Sequence, residues 1–307
     1  MLGMSEIFDR IKELARLIQR HCPTDGVRES DIPRLSFIRS SSPTEPVLAV
    51  HQPAVCIVAQ GAKKVISGEQ LFKYDAAHYL VVSVDLPIAG QVMQASPEQP
   101  YLCVRLDLDL TILSELILDE GSVDNSAPHQ SVGVSLVTPR LLEAVIRLVA
   151  LLNDNPKDIA VLAPLAEKEI LYWLANGDQG GILREITNGD SRIRQISKAI
   201  QHIKTTFDQP FDMDELLKLT CMSASSFFHH FRTATHMTPL QYQKQLRLLE
   251  ARRRLFLGEQ DICNIGYGVG YDSPSQFSRE YARLFGLPPS KDLARIKNAG
   301  SSEYWLP

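Results

Sequence analysis

Tryptophan is scarce in this 307-residue chain, with two, and cysteine is little commoner, with five. Cys22, Cys56, Cys103, Cys221 and Cys263 are odd in number, and no two stand in a C-x-x-C spacing. That argues against a disulfide framework and a thiolate zinc site, and it reads as reduced, scattered core residues. Long apolar runs are missing as well, since the strongest, over 141–152, is broken by Glu143 and Arg147. A membrane span needs about 18 or more uninterrupted apolar residues, so no transmembrane helix and no membrane partner are expected. The opening twenty residues carry Glu6, Asp9, Arg10, Lys12, Glu13, Arg16 and Arg20, which breaks up any secretory apolar core and leads to the expectation of a cytoplasmic protein.

What is present is the composition of a folded chain, 44% hydrophobic and 22% charged, with 17 Gly and 18 Pro. The length implies about two domains. The net charge of -4 hides an asymmetry. Residues 190–297 hold 16 Lys/Arg against 11 Asp/Glu, a net of +5, which leaves the remainder at -9. A basic segment attached to an acidic one hints at nucleic-acid binding, and equally fits a basic solvated surface until something else in the segment speaks.

The patterning changes along the chain. Over 5–20, Ile7, Phe8, Ile11, Leu14, Ala15, Leu17 and Ile18 form one helical stripe with charges opposite. From 35 to 107 the texture is short β-branched and aromatic runs (VCIVAQ, KKVIS, LFKY, YLVVSV, YLCVRLDLD), which suggests an all-β sandwich or barrel. Gly68-Glu69 suits a hairpin turn, and Asp85-Leu86-Pro87 is expected to end a strand. A 3.6-residue period then predicts helices over 110–119, 139–152 and 158–176. The middle one is apolar over more than half its surface, so it should be buried on two sides, with a second subunit as one candidate cover. Asn188-Gly189-Asp190-Ser191 marks the best domain boundary.

The basic segment repeats itself. Ser223, Ser225, Phe227, Phe231 and Pro239 recur fifty positions later as Ser273, Ser275, Phe277, Tyr281 and Pro289, without a gap. Each copy reads as a short helix, a turn and a second helix opening at a Ser cap: 213–220 then 223–235, and 262–268 then 273–285. In each second helix the i, i+4 aromatic pair must face inward. Ser225, Phe228, His229 and Arg232 then point outward in the first copy, and Ser275, Gln276, Arg279 and Arg283 in the second. A helix fits the DNA major groove, and these side chains can bond base edges and phosphates. The helix between the copies carries Lys244, Arg247, Arg252, Arg253 and Arg254, which suit phosphates or an ordinary solvated face. Gly266-Tyr267-Gly268-Val269-Gly270 follows a helix, not a strand, so it reads as a tight turn rather than a nucleotide loop.

These residues also resemble a family. IGYGVGYDSPSQFSREYARLFGLPPSKD and MSASSFFHHFRTATHMTPLQYQKQLRLLEARRRL are similar to the second and first helix-turn-helix signatures of AraC/XylS-type transcriptional regulators. His229 and Phe228 depart from the family, which commonly has a basic residue and a small or polar one there. Phe228 could instead touch a thymine methyl. HQPAVCIVAQGAKKVISGEQLFKYDAAHYLVVSVDLPIAG resembles the sensor half of such proteins, a cupin-like β-barrel followed by helices. The resemblance implies double-stranded DNA, a small-molecule effector, RNA polymerase and a second copy of the chain as partners, with activation the commoner behaviour.

The expected fold is thus α+β in two domains. An amphipathic helix (1–30) and a cupin-like effector-sensing barrel (31–137) precede a helical linker and dimerisation region (138–188), an all-α double helix-turn-helix domain (189–297) and a tail (298–307). His78, Tyr101 and Arg105 are candidate effector contacts. His51, His78 and His129 lack the close spacing of a metal-dependent cupin, so no metal, cofactor or catalytic residue is assigned. The competing class is a cupin-type enzyme with a basic helical appendage, for which the sequence supplies neither a histidine cluster nor a nucleophile with a base.

Overall fold

A computed structural model describes residues 4–299 apart from 69, 119–130, 189–190 and 259–260, so His129 and the end of the tail lie outside the described residues. Helix α1 (Met4–His21) is followed by strands β1 (Gly26–Glu29), β2 (Leu35–Ser40), β3 (Val47–His51), β4 (Ala54–Gln60), β5 (Ala62–Ser67) and β6 (Gln70–Asp75). Next come β7 (His78–Val82), β8 (Leu86–Gln94), β9 (Tyr101–Asp107), helix α2 (Leu110–Leu118) and β10 (Val132–Leu136). Helices α3 (Pro139–Ala150), α4 (Pro156–Ala175) and α5 (Gly180–Thr187) lead to the helical C-terminal third. That third comprises α6 (Arg192–Thr205), α7 (Met213–Thr220), α8 (Ala224–Thr235), α9 (Pro239–Phe256), α10 (Ile262–Gly268), α11 (Pro274–Phe285) and α12 (Pro289–Ala299).

The strands form two antiparallel sheets, one in the order β1-β2-β9-β4-β7-β10 and one in the order β3-β8-β5-β6. The two-domain α+β reading holds, but the barrel is not closed: among the described residues no ladder joins the sheets. Closure needs a continuous ladder with a fixed stagger. Here the chain leaves the larger sheet at a corner after β4. A register shift between Val58 and Gln60 precedes Gly61, whose φ of 80° suits glycine and whose added Cβ would stand 2.5 Å from the Gln94 carbonyl.

Every side chain of β9 from Tyr101 to Leu106 is buried, because both faces of the larger sheet are covered. Tyr101, Cys103 and Arg105 meet Lys63 and Tyr74 of the smaller sheet, while α1 packs on β4 and β9 from outside with Ile11, Leu14 and Ile18 buried. Phe8, expected on the same stripe, is 56% exposed. Asp85 does stand at a break, but Pro87 lies within β8, opposite Val50. It is tolerated there because β5 pairs β8 only from Ala89 onward, so the missing N–H costs no bond on that side. The apolar surface of α3 needs no second subunit, since α1 and α4 pack on it within the chain.

Candidate nucleic-acid interface

The helical repeat is built by short-range capping. The Asp212 and Ser223 side chains accept the Glu215 and Ser226 amides at the starts of α7 and α8, and Asp261 and Ser273 serve α10 and α11 in the same way. Cys221, in the left-handed region at φ 53°, makes the first turn. Phe227 and Phe231 are fully buried, with ring centroids 5.6 Å apart, and Phe277 and Tyr281 repeat the arrangement at 5.7 Å. The aromatic pairs therefore face inward as the spacing predicts.

The opposite faces are open. Ser225, Phe228, His229 and Arg232 on α8 and Ser275, Gln276, Arg279 and Arg283 on α11 are all exposed. Phe228 is 42% exposed, an apolar ring held in solvent on an otherwise polar face. Gln276 donates to Glu280 at 3.2 Å, which holds its amide along α11.

The basic residues of α9 serve a purpose the sequence left open. Arg247 donates to three backbone carbonyls, of Phe207 (2.6 Å), Gly270 (2.6 Å) and Gln209 (2.7 Å), and so ties the turn before α7 to the turn before α11. Gly270, at φ 89°, allows this approach: an added Cβ would stand 2.4 Å from the Asp208 carbonyl. Arg252 pairs with Asp292 at 3.0 Å, and Tyr281 donates to the same carboxylate at 2.7 Å, which fastens α9, α11 and α12 together. Lys244 and Tyr271 both reach Glu280, at 2.8 and 2.9 Å. Arg253 and Arg254 pair with Glu250, and Arg253 lines a groove on the sheet side. Lys244, Arg247 and Arg252 thus brace α9 against the second unit and the turns, while Arg253 and Arg254 pair within α9 itself.

The helical third also touches the sheets. Asp85, buried between β7 and β8, accepts Lys204 at 2.5 Å and the Gln201 amide, both from α6, and its carbonyl accepts the Tyr242 hydroxyl of α9 at 2.8 Å. The β5–β6 turn presses on the end of α8, where a Cβ on Gly68 would collide with His236. A groove of about 700 Å³ opens between β3 and α9, lined by apolar Val47, Val50, Phe207 and Leu249 together with Lys204, Arg252, Arg253, Glu29 and Glu250.

The three residues offered for an effector are not brought together. His78 is bonded to Asp75 at 2.6 Å on the outside. Tyr101 is fully buried between the sheets, and Arg105 is buried there and bonded to Asp107 at 2.8 Å. Among the described residues no group of three or more His, Cys, Asp or Glu side chains could hold a metal, and no helix is long and apolar enough to cross a membrane.

Comparison with known proteins matches both halves. Residues 31–182 match the AraC-type transcriptional regulator N-terminus, and residues 216–295 match a helix-turn-helix domain. Regulatory protein SoxS of Salmonella typhimurium is 37% identical over 101 residues, which covers 33% of this chain and 94% of that protein. The chain belongs to the AraC family of transcriptional regulators. Thermoregulatory protein LcrF of Yersinia pestis is 25% identical over 272 residues, covering 84% of this AraC-family chain and 96% of LcrF. Among solved structures, ToxT of Vibrio cholerae is 12% identical with a TM-score of 0.59, covering 88% of this chain and 98% of that one, which supports the same two-domain fold. This AraC-type protein is a DNA-binding transcription regulator.

Proposed function

We propose that this AraC-type regulator is a cytoplasmic, effector-controlled activator, with no catalytic activity, that binds its promoter as a homodimer and recruits RNA polymerase. The observation that carries the DNA reading is the pair of braced helices with exposed polar faces. Ser225, Phe228, His229 and Arg232 read one groove segment, and Ser275, Gln276, Arg279 and Arg283 the next. The unit boundaries near 30, 137, 188 and 297 belong to the same proposal.

The effector enters the groove between β3 and α9 rather than a site at His78, Tyr101 and Arg105. A largely apolar wall suits an apolar chain, and Lys204, Arg252 and Arg253 against Glu29 and Glu250 leave a small cationic excess for an anionic head. ToxT, in one of its solved structures, holds an unsaturated fatty acid. A ligand seated between sheet and helix changes transcription by its differential affinity for the two arrangements of the halves.

The α4 helix supplies the dimer face. Val161, Leu162 and Leu165 are exposed on it at 65%, 44% and 61%. An antiparallel crossing of two copies sets Val161 against Leu165 and Asp158 against Lys168, apolar on apolar and acid on base.

Footprinting on the chain's own upstream region tests the DNA reading. Protection should span two adjacent groove segments, and Arg279→Ala should cost about 1–3 kcal/mol and relax base preference at one position. Capture from genomic DNA that yields no preferred site, or Arg279→Ala with unchanged affinity and preference, overturns it.

A further inference from the structure

The outward stripe of α8 contains one side chain that cannot hydrogen-bond. Ser225, Phe228, His229 and Arg232 follow one another at helical spacing, and Phe228 is the apolar member, 42% exposed. Its ring meets Phe227 at a centroid distance of 6.2 Å and an angle of 64°. The ladder continues inward from Phe227 to Phe231 at 5.6 Å and on to Tyr242 of α9 at 5.8 Å. Buried rings therefore back the exposed one.

A single apolar side chain on a surface needs no partner in general. Two observations set Phe228 apart. Packing does not demand an aromatic there: the fifty-residue repeat puts Ser278 at the same place in the second unit, where Phe277 and Tyr281 pack as Phe227 and Phe231 do. Nor does the sheet half cover the ring, since the β5–β6 turn meets α8 about two turns further on, at His236. The ring is thus presented at the centre of a polar stripe, in the part of a recognition helix that reaches base edges.

The chemistry of the groove decides what such a ring can recognise. Base edges in the major groove offer hydrogen-bond donors and acceptors, and the apolar group among them is the C5-methyl of thymine. A phenyl ring set against a donor or acceptor strips its water and returns no hydrogen bond, which is unfavourable. Against the methyl, both partners bury apolar surface. We infer that Phe228 is a thymine-selecting residue, whose ring packs on the C5-methyl of one thymine in the groove segment taken by α8. The inference rests on the DNA reading proposed above and adds the chemical group that the first unit recognises. With Ser278 in the matching place, the second unit has no such reader.

The test titrates the full chain against its own upstream region while each thymine of the protected α8 segment is replaced in turn by deoxyuridine, which removes the methyl and keeps the pairing edge. The α8 segment is the half of the footprint that Arg279→Ala does not relax. At one position the wild type should bind about threefold to fivefold more weakly, the loss of one buried methyl. Phe228→Ala should bind the unmodified site more weakly and, at that position, no longer distinguish thymine from deoxyuridine. Phe228→Leu, which keeps an apolar contact, should retain part of the distinction and covers the case in which the alanine variant folds poorly. An intact footprint with no deoxyuridine effect anywhere in the α8 segment overturns the inference and leaves the DNA reading standing. So does Phe228→Ala with its thymine preference undiminished. Faster permanganate oxidation of the contacted thymine in the complex also overturns it, because that marks a ring wedged between bases rather than packed on a methyl. Absence of any protected segment would instead overturn the DNA reading and the inference with it.

Discussion

At the scale of single residues, two arginines of the basic segment have opposite fates. Arg279 is exposed on α11, aimed away from the body, whereas the side chain of Arg252 is only 14% exposed and is bonded to Asp292. Asp292 is itself 1% exposed and also accepts the Tyr281 hydroxyl. Arg252→Ala strands a buried carboxylate, and removing one partner of such a pair costs about 3–5 kcal/mol. Urea unfolding should show a loss of that order, while Arg279→Ala should unfold like the wild type. Equal midpoints for Arg252→Ala and wild type would remove Asp292 from the bracing role. The sequence pointed Arg279 outward but left Arg252 open, because the run of cations on α9 has the same composition whether it meets solvent, phosphate or a carboxylate forty residues on. The inward aromatic pairs were legible, since Phe227/Phe231 and Phe277/Tyr281 follow from helical spacing and a fifty-residue repeat alone.

At the scale of elements, the short-range rules carried furthest. Helices α7 and α10 fall on the expected 213–220 and 262–268, and α8 and α11 begin one residue after their Ser caps. Local hydrogen bonds decide those boundaries, and local sequence specifies them. The sheets were legible only as texture. Pairing β4 with β7 and β9 depends on contacts from Ile57↔Tyr79 out to Ala54↔Asp107, and an open pair of sheets has the same alternating runs as a closed barrel. The covering of α3 was open to sequence in the same way: an apolar helix must be buried, but the burying is shared by α4 and by α1, which ends at His21, far upstream. One face of α4, with Val161, Leu162 and Leu165, is uncovered, and this places the prediction for the proposed dimer. Leu165→Glu puts a charge into the proposed antiparallel seam in both copies, each losing about 1.5–3 kcal/mol of apolar burial. The dimer dissociation constant should rise about a hundredfold or more. Sedimentation equilibrium should find monomer where the wild type is dimeric, with the secondary structure unchanged. A dimer of undiminished strength would show that α4 is not the seam.

At the scale of the whole molecule, a buried carboxylate ties the sheet half to the helical half, beside the β3–α9 contact and the β5–β6 turn on α8. Asp85 takes Lys204 and Gln201 from α6, and Tyr242 of α9 donates to its carbonyl, so one turn between β7 and β8 holds both the entry to the helix-turn-helix region and its bracing helix. The α9 ties then carry any movement of that helix to α8 and α11 together. The groove between β3 and α9 opens at the same junction, and Lys204 lines it, so a ligand bound at the proposed site would bear on the Asp85 contacts. Asp85→Ala leaves Lys204 without its carboxylate at a packed interface, a loss of about 2–5 kcal/mol when such a pair is truncated. Because the Lys204 side chain is 33% exposed, solvent offsets part of it, and the lower end is expected. Amide exchange in α6 and in the turn around Asp85 should then quicken at least tenfold, while the centre of β9 keeps its protection. If docking restrains the recognition helices, the same variant should also lift promoter activity in the absence of effector. Unchanged exchange in α6 would mean that packing around Tyr242 holds the halves without the carboxylate, and Asp85 would then be a bystander at the junction.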